Sequence, residues 1–232
     1  MANLYGPRIV TDGLVLHLDA GNRKSYPGSG TSWNDLSGNG NNATMTGGVS
    51  FSTLFGGCLQ FSASTNDYAV VADNSTLDLE TAWTIETWIR QEGTNTPNNY
   101  SKIVSKWENY FISTGNTSNY LYGCVGTGSG HTCNSYDRDT ILSLNEWACL
   151  VFAYSENSGT AELYWNNAEA HTVSASATAG SSYDLTIARP NTGITDQTFT
   201  GKISVVKVYN KKLTTTEILQ NYNALKGRYG LT

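Results

Sequence analysis

The chain has 232 residues, of which 23 are glycine and only 14% are charged, a composition that favours short strands joined by polar turns over a helical bundle. Its formal charge of −5 argues against a nucleic-acid partner, because phosphate binding requires a basic surface. The sequence has no run of about 18 apolar residues, so no membrane insertion is expected.

The predicted organisation is an N-terminal arm, residues 1–12, followed by a single domain, residues 13–232, because no Pro-rich linker divides the chain. The first residues, Met1–Arg8, have neither the basic start nor the apolar core of a secretory signal. We therefore expect synthesis and folding in a cytosol.

Strands of five to seven residues recur along the chain with turn residues between them, which predicts an antiparallel sandwich or barrel. The first is Gly13–Ala20, in which apolar and polar residues alternate. In Leu150–Tyr154 both faces are apolar, which indicates a central strand that is covered on each side. Trp88 and Trp147 are predicted to lie in the core of the sandwich.

The chain ends with a strand that turns into a helix. In the strand, Val206 and Val208 are expected to face the core, with Lys207 and Tyr209 on the opposite, solvent-facing side. Thr214 and Glu217 have the spacing of a capping box. The apolar stripe predicted for this short helix is Ile218, Leu219, Tyr222 and Leu225. The fold class is thus all-β, an antiparallel β-sandwich with one short C-terminal helix.

Six short motifs follow one another between Leu14 and Tyr222. They are Leu18–Ala20 with Trp33–Asn41, Gly57–Phe61, Asn66–Val71, Thr84–Ile89, the hairpin Asn145–Asn166, and the terminal strand and helix. In type and order they resemble the laminin-G-like domains of the concanavalin A-like lectin and glucanase superfamily. The resemblance implies a jelly roll that is closed by its last strand and helix.

The glucanase branch of that superfamily carries a nucleophile and an acid/base on one strand, as Glu-x-Asp-x-x-Glu. The nearest candidate in this chain begins at Glu86, but Trp88 replaces the second carboxylate. Glu92 lies about 20 Å further along the strand, too far for a catalytic pair. We therefore predict no catalytic residues and no enzyme activity, with a glycoside hydrolase as the less favoured alternative.

Two of the four cysteines, Cys124 and Cys133, bracket a Gly-rich loop. They could form a disulfide if the flanking strands pair as a hairpin. A zinc site that adds His131 is the alternative. Cys149 and Cys58 are interpreted as buried thiols.

Calcium is the cofactor that the Asp- and Asn-rich loops favour, because hard oxygen ligands suit it, and the resembled family commonly binds it. The candidate ligands are Asp19, Asp35, Asn39, Asn41 and Asp67. For each of these residues, an Asx turn is the alternative role.

A carbohydrate site needs exposed aromatic faces with polar groups nearby. The Asn/Ser/Gly-rich segment between Gly93 and Asp139 holds six aromatic candidates. They are Tyr100, Trp107, Tyr110, Tyr120, Tyr122 and Tyr136. The alternative is that some of them simply complete the second sheet.

Residues 18–30 and 223–231 resemble laminin-G-like proteins of tailed bacteriophages. The resemblance implies a virion protein made in the host cytoplasm and exposed outside: a capsid decoration, head fibre or tail adhesin. Its expected partners are other virion proteins and a cell-surface glycan, and a homo-oligomer is compatible with this role. The arm, residues 1–12, would then anchor the domain or pack along it. The alternative is a purely structural capsid or appendage protein without a glycan site.

Overall fold

The computed structural model describes residues 7–92, 100–115, 120–127, 130–137, 144–176, 180–190 and 197–232. Within these ranges the chain forms two antiparallel sheets and one α-helix. The strands are β1 (Leu14–Asp19), β2 (Ser32–Trp33), β3 (Ala43–Thr46), β4 (Ser50–Ser52), β5 (Cys58–Phe61), β6 (Tyr68–Val71), β7 (Ala82–Gln91), β8 (Ser101–Lys106), β9 (Tyr110–Thr114), β10 (Tyr120–Gly126), β11 (His131–Asp137), β12 (Trp147–Ser155), β13 (Thr160–Trp165), β14 (Ala168–Ser174), β15 (Leu185–Ile187) and β16 (Gly201–Tyr209). The helix, α1, spans Thr215–Leu225.

The first sheet has the order β14-β13-β12-β7-β16-β5-β4, and β1 also pairs with β16. The second sheet has the order β11-β10-β9-β8-β15-β6-β3-β2. Strands that pair in these sheets are as often far apart in the sequence as they are consecutive. This order is expected for a jelly roll and not for a simple meander. The predicted fold class, an all-β antiparallel sandwich with one short C-terminal helix, is confirmed.

The main hydrophobic core lies between the two sheets. The first sheet contributes Leu150 and Phe152 from β12 and Val206 and Val208 from β16, all fully buried. Where β10 crosses this core the chain has Gly123, and a Cβ there would lie 2.4 Å from the ring of Phe152. Glycine at this position therefore lets the sheets approach closely.

A second apolar layer lies on the other side of the first sheet, beneath α1. Trp88 and Trp147 are buried there, against Tyr229 of the short 3-10 helix, Lys226–Tyr229, that follows α1. Both tryptophans were predicted as core residues, but their layer is the one under the helix and not the interior of the sandwich. Both faces of β12 are apolar because each of them packs in a different core.

The helix begins at the predicted capping box: the Thr214 hydroxyl accepts from the Glu217 N–H, and the Glu217 carboxylate accepts from the Thr214 N–H. Two expectations near the helix were wrong. Leu219 is 42% exposed, so it does not belong to the buried stripe. Lys207 and Tyr209 are fully buried under α1, because the face opposite Val206 and Val208 is covered by the helix and not by solvent.

The described part of the N-terminal arm packs beside the helix. Val10 is buried, its N–H donates to Asn221 Oδ1 at 2.7 Å, and its carbonyl accepts from the Tyr209 hydroxyl at 3.1 Å. In the described ranges, none of the helices has the length and apolar character needed to cross a bilayer.

Candidate functional site

The candidate site lies on the outer face of the second sheet, where β8, β9, β10 and β11 run side by side. Val104 and Ile112 pair with one another and point into the core. The alternate positions of β9 and β10 therefore point outward. Lys102 faces the same way as its pairing partner Ser113, because the register of β8 shifts between Lys102 and Val104. The outward rows are Lys102, Ser113 and Tyr122, and next to them Phe111, Cys124 and Cys133.

Trp107 reaches this face from the tight turn between β8 and β9. The turn is fixed by the buried side chain of Asn109, which donates to the carbonyl of Leu79 at 3.0 Å and accepts from its N–H at 3.3 Å. Gly126 of β10 packs closely against this turn, since a Cβ atom at that position would lie 1.8 Å from the carbonyl oxygen of Glu108. The indole is therefore held by a rigid turn beside the strand residues.

Together these residues surround an open pocket of about 340 Å³. Its lining is Tyr100, Lys102, Trp107, Phe111, Ser113, Tyr122, Cys124, Cys133 and Gln197. The rings of Trp107 and Phe111 are nearly parallel, with centroids 6.2 Å apart, and those of Tyr100 and Tyr122 meet edge to face at 5.1 Å. Apolar walls with a few polar groups are typical of small-molecule sites.

The pocket contains one buried cation. Lys102 is only 4% exposed, and its Nζ lies 3.9 Å from the centroid of the Phe111 ring. Burial lowers the pKa of Lys102 from 10.5 to about 8, because the charged form is poorly solvated there. His131 packs against Trp107 and Phe111, and burial, followed by the nearby Lys102 charge, lowers its pKa.

Cys124 and Cys133 form a disulfide between β10 and β11, with Cα atoms 4.1 Å apart. The predicted hairpin and its disulfide are confirmed. The alternative zinc site is wrong, because the bond uses both sulfur atoms. The disulfide forms part of the pocket wall beside Phe111. Cys58 and Cys149 are buried thiols, as predicted.

The structure brings together three of the six predicted aromatic residues: Tyr100, Trp107 and Tyr122 all line the pocket. Tyr110 is a correction: it is fully buried in the main core, where its hydroxyl donates to the carbonyl of Leu77 at 3.1 Å. Tyr120 and Tyr136 belong to β10 and β11, but their side chains lie outside the described residues.

Sequence reasoning missed Phe111, Lys102 and Gln197, which also line the pocket. The alternation within β9 was the available signal for Phe111. Since Ile112 is apolar and points inward, its two neighbours, Phe111 and Ser113, must point outward. Lys102 and Gln197 lie far apart in the sequence and gave no comparable signal.

The residues predicted to bind calcium make hydrogen bonds within and between loops. Asp35 Oδ1 accepts from the N–H groups of His17 and Ser37, at 2.8 and 2.9 Å, and Oδ2 accepts from the N–H of Asn41 at 3.1 Å. The amide of Asn39 donates to the carbonyl of Leu14 at 3.3 Å. These are Asx-turn and loop contacts.

Asn41, Asp67 and Asp19 have similar roles. The amide of Asn41 donates to the carbonyl of Val15 at 2.8 Å. The two carboxylate oxygens of Asp67 accept from separate backbone N–H groups, and Asp19 pairs with Arg228 at 2.7 Å. Among the described residues no group of three or more His, Cys, Asp or Glu could hold a metal ion. Calcium binding at these five residues stays a prediction.

Glu86, the nearest candidate for a glycosidase carboxylate, does not reach a cleft. It is fully buried beneath α1 and forms an ion pair with Lys207. Glu92 is paired with Lys202 and Arg90. These carboxylates therefore contribute to structure and not to a catalytic pair.

A larger cavity, of about 510 Å³, lies between the loop Gly21–Ser29 and Phe51. Its walls are mainly glycine and other small residues, and the rings of Tyr26 and Phe51 lie tilted against each other with centroids 5.3 Å apart. This larger cavity has two aromatic rings in its lining, whereas the smaller pocket has four. We therefore regard the smaller pocket as the candidate site.

Residues 63–219, well over half of the chain, match a family model of the concanavalin A-like lectin/glucanases superfamily. The chain belongs to this superfamily. The resemblance of its motifs to laminin-G-like domains is thereby confirmed at the level of the family. Comparison with curated proteins found no match.

Several solved structures share the fold. The binding domain of Paraclostridial Mosquitocidal Protein 1 is 16% identical, with a TM-score of 0.74 over 95% of this chain and 56% of that one. A structure of botulinum neurotoxin type C, whose cell entry depends on interaction with two ganglioside molecules, is 17% identical. Its TM-score is 0.71 over 93% of this chain and 52% of that one. The binding domain of botulinum neurotoxin DC, in complex with SialylT, is 16% identical, with a TM-score of 0.70 over 93% and 52%. The chain spans about half the length of these structures, and at such identities the likeness shows the fold alone.

Proposed function

We propose that the chain is a non-catalytic carbohydrate-binding module and that the pocket on the outer face of the second sheet holds the sugar. The observation that carries this proposal is the convergence of four aromatic side chains around one pocket: Tyr100, Trp107, Phe111 and Tyr122. Phe111 and Tyr122 lie in β9 and β10, Tyr100 directly precedes β8 and Trp107 lies in a turn, so the convergence is a property of the fold and not of one segment.

Aromatic rings suit a sugar because their faces cover its C–H groups while hydroxyl groups remain free for hydrogen bonds. Ser113, Gln197 and Lys102 supply polar groups in the same lining. Superfamily membership supports this function, and so do the two toxin structures whose binding involves a ganglioside or SialylT.

The proposal is tested on a glycan array with the wild-type protein and with Trp107→Ala and Tyr122→Ala. We expect both variants to lose most of the binding, because each removes a wall of the pocket. Phe55→Ala is the matched control, since Phe55 is 38% exposed and packs on Trp147 of the first sheet. Equal loss in the control would contradict the assignment of the pocket.

Absence of binding by the wild-type protein to every glycan would favour a purely structural protein. A parallel array with a calcium chelator tests the calcium prediction.

We also infer, from the sequence resemblance to phage laminin-G-like proteins, that the module is displayed on the virion of a tailed bacteriophage. It would be a capsid decoration, head fibre or tail adhesin that contacts other virion proteins.

Electron microscopy of purified particles with a gold-labelled antibody against the chain tests the location. Label at regular positions on the head or tail supports a virion protein. Abundant chain in the lysate with unlabelled particles contradicts it.

A further inference from the structure

Lys102 differs from the other buried lysines of the described residues. Lys106 and Lys207 are fully buried, and each has a carboxylate partner at 2.6 Å: Asp73 for Lys106 and Glu86 for Lys207. Lys102 is also buried, with only 4% of its surface exposed, but no described carboxylate lies within ion-pair distance of it. Burial of an ammonium group without a counter-charge is unfavourable.

The surroundings of Lys102 compensate only in part for this burial. Its Nζ lies 3.9 Å from the centroid of the Phe111 ring and 5.6 Å from that of the Tyr100 ring. A cation over an aromatic face is stabilised, but less than in a hydrogen-bonded ion pair. The same rings line the pocket, so the ammonium group is held at its wall. An anion in the pocket would complete its coordination.

We propose that the pocket selects a singly charged acidic sugar whose carboxylate or sulfate group pairs with Lys102. The inference rests on the proposed carbohydrate-binding function and adds the class of sugar. The sugar ring would lie among Trp107 and Tyr122 while its acidic group reaches Lys102. One ammonium group balances one negative charge. His131, the other titratable base beside Phe111, is neutral at pH 7 because its pKa is lowered from 6.5.

Calorimetric titration with three matched pairs of sugars tests the inference: methyl glucuronide against methyl glucoside, sialyllactose against lactose, and galactose 6-sulfate against galactose. We expect the wild-type protein to bind at least one acidic member about tenfold or more tightly than its neutral counterpart, as charge-assisted hydrogen bonds would give. The pair that shows the preference identifies the source of the charge.

Lys102→Met keeps an unbranched apolar chain but removes the charge, and it should reduce the acidic-to-neutral ratio to about one. Lys211→Met is the control, since Lys211 pairs with Glu217 beside the helix and away from the pocket. A wild-type ratio near one, with measurable binding of neutral sugars, overturns this inference and leaves the carbohydrate function intact. An unchanged ratio in Lys102→Met also overturns it. If no sugar of either kind binds, both proposals fail. The wild-type comparison remains decisive even if the variant does not fold.

Discussion

The ammonium group of Lys207 lies 2.6 Å from Glu86 Oε1, and both side chains are fully buried between the first sheet and α1. Glu86 Oε2 also accepts from the Asn221 amide at 2.7 Å, and Oε1 accepts from the Trp88 indole at 3.3 Å. The carboxylate therefore joins two strands of the sheet to the helix, with all of its neighbours acting as donors.

Lys207→Met should strongly destabilise the protein, because it leaves the Glu86 carboxylate buried without its counter-charge. Breaking a buried ion pair in this way costs about 3–5 kcal/mol. Urea unfolding measures the loss. The double variant Glu86→Gln/Lys207→Met removes both charges and should recover part of it. If the single variant is as stable as the wild-type protein, the pair is not a structural tie.

The sequence predicted the faces of β16 correctly but not what covers them. Alternation placed Lys207 opposite Val206 and Val208, and a lysine on a strand is normally solvated. The helix that covers this face comes later in the chain, and the partner charge comes from β7, more than a hundred residues earlier. Such long-range pairing is not encoded in any local pattern.

Val208→Asp should prevent folding. Val208 is fully buried in the core between the sheets, so an aspartate there would be a charge without a described partner. Circular dichroism and thermal unfolding of the purified variant check this. Thr216→Asp is a control for the added negative charge, since Thr216 is exposed in the first turn of the helix. A soluble, cooperatively unfolding Val208→Asp protein would contradict the placement of β16.

Tyr110 and Trp107 should respond in opposite ways to truncation. Tyr110→Ala opens a cavity in the core and removes the hydrogen bond to Leu77, and the cost should be about 3–5 kcal/mol. Trp107→Ala should affect stability less, because the indole is only partly buried, but it should abolish most glycan binding. Urea unfolding and array binding on both variants separate the two roles. Similar stability losses would place Trp107 in the core as well.

The same pair of residues shows how far the pocket was predictable. The aromatic-rich segment was identified as a whole, and three of its members do line the pocket. The choice of Tyr110 over Phe111 ignored the alternation within β9, which was readable from the sequence. By contrast, an Asp or Asn in a turn has the same sequence signature whether its oxygen binds calcium or a backbone N–H. The contacts of Asp35 could therefore be assigned only from the structure.

Loss of the disulfide should weaken both stability and binding. Cys124→Ser/Cys133→Ser removes a cross-link that closes a short loop, with an expected cost of about 2–3 kcal/mol. Because the bond lies in the pocket wall, glycan affinity should fall as well. Calorimetry and urea unfolding with and without reductant measure both effects. Reductant should weaken the wild-type protein and leave the double variant unchanged. A wild-type protein that is insensitive to reductant in both assays contradicts the prediction.

The affinity for an acidic sugar should fall as the pH rises through about 8, where Lys102 loses its proton. Among the described residues, the other titratable groups near Lys102 are His131, with Glu108 beside it, and the tyrosines Tyr100 and Tyr122. His131 is already neutral at pH 7 because burial lowers its pKa. Neutral sugars should show no comparable change between pH 7 and 9.

The free energy of unfolding should rise over the same pH range in which the affinity for an acidic sugar falls. The pKa of Lys102 is about 8 in the folded protein and 10.5 in the unfolded chain. Above pH 8 the unfolded state therefore holds more protons than the folded state, and the free energy of unfolding rises with pH. The Lys102→Met variant lacks this group, so subtracting its pH profile isolates the contribution of Lys102. A stability difference that falls from pH 7 to 9 while acidic-sugar affinity stays constant would show that the Lys102 ammonium group is not buried in the pocket.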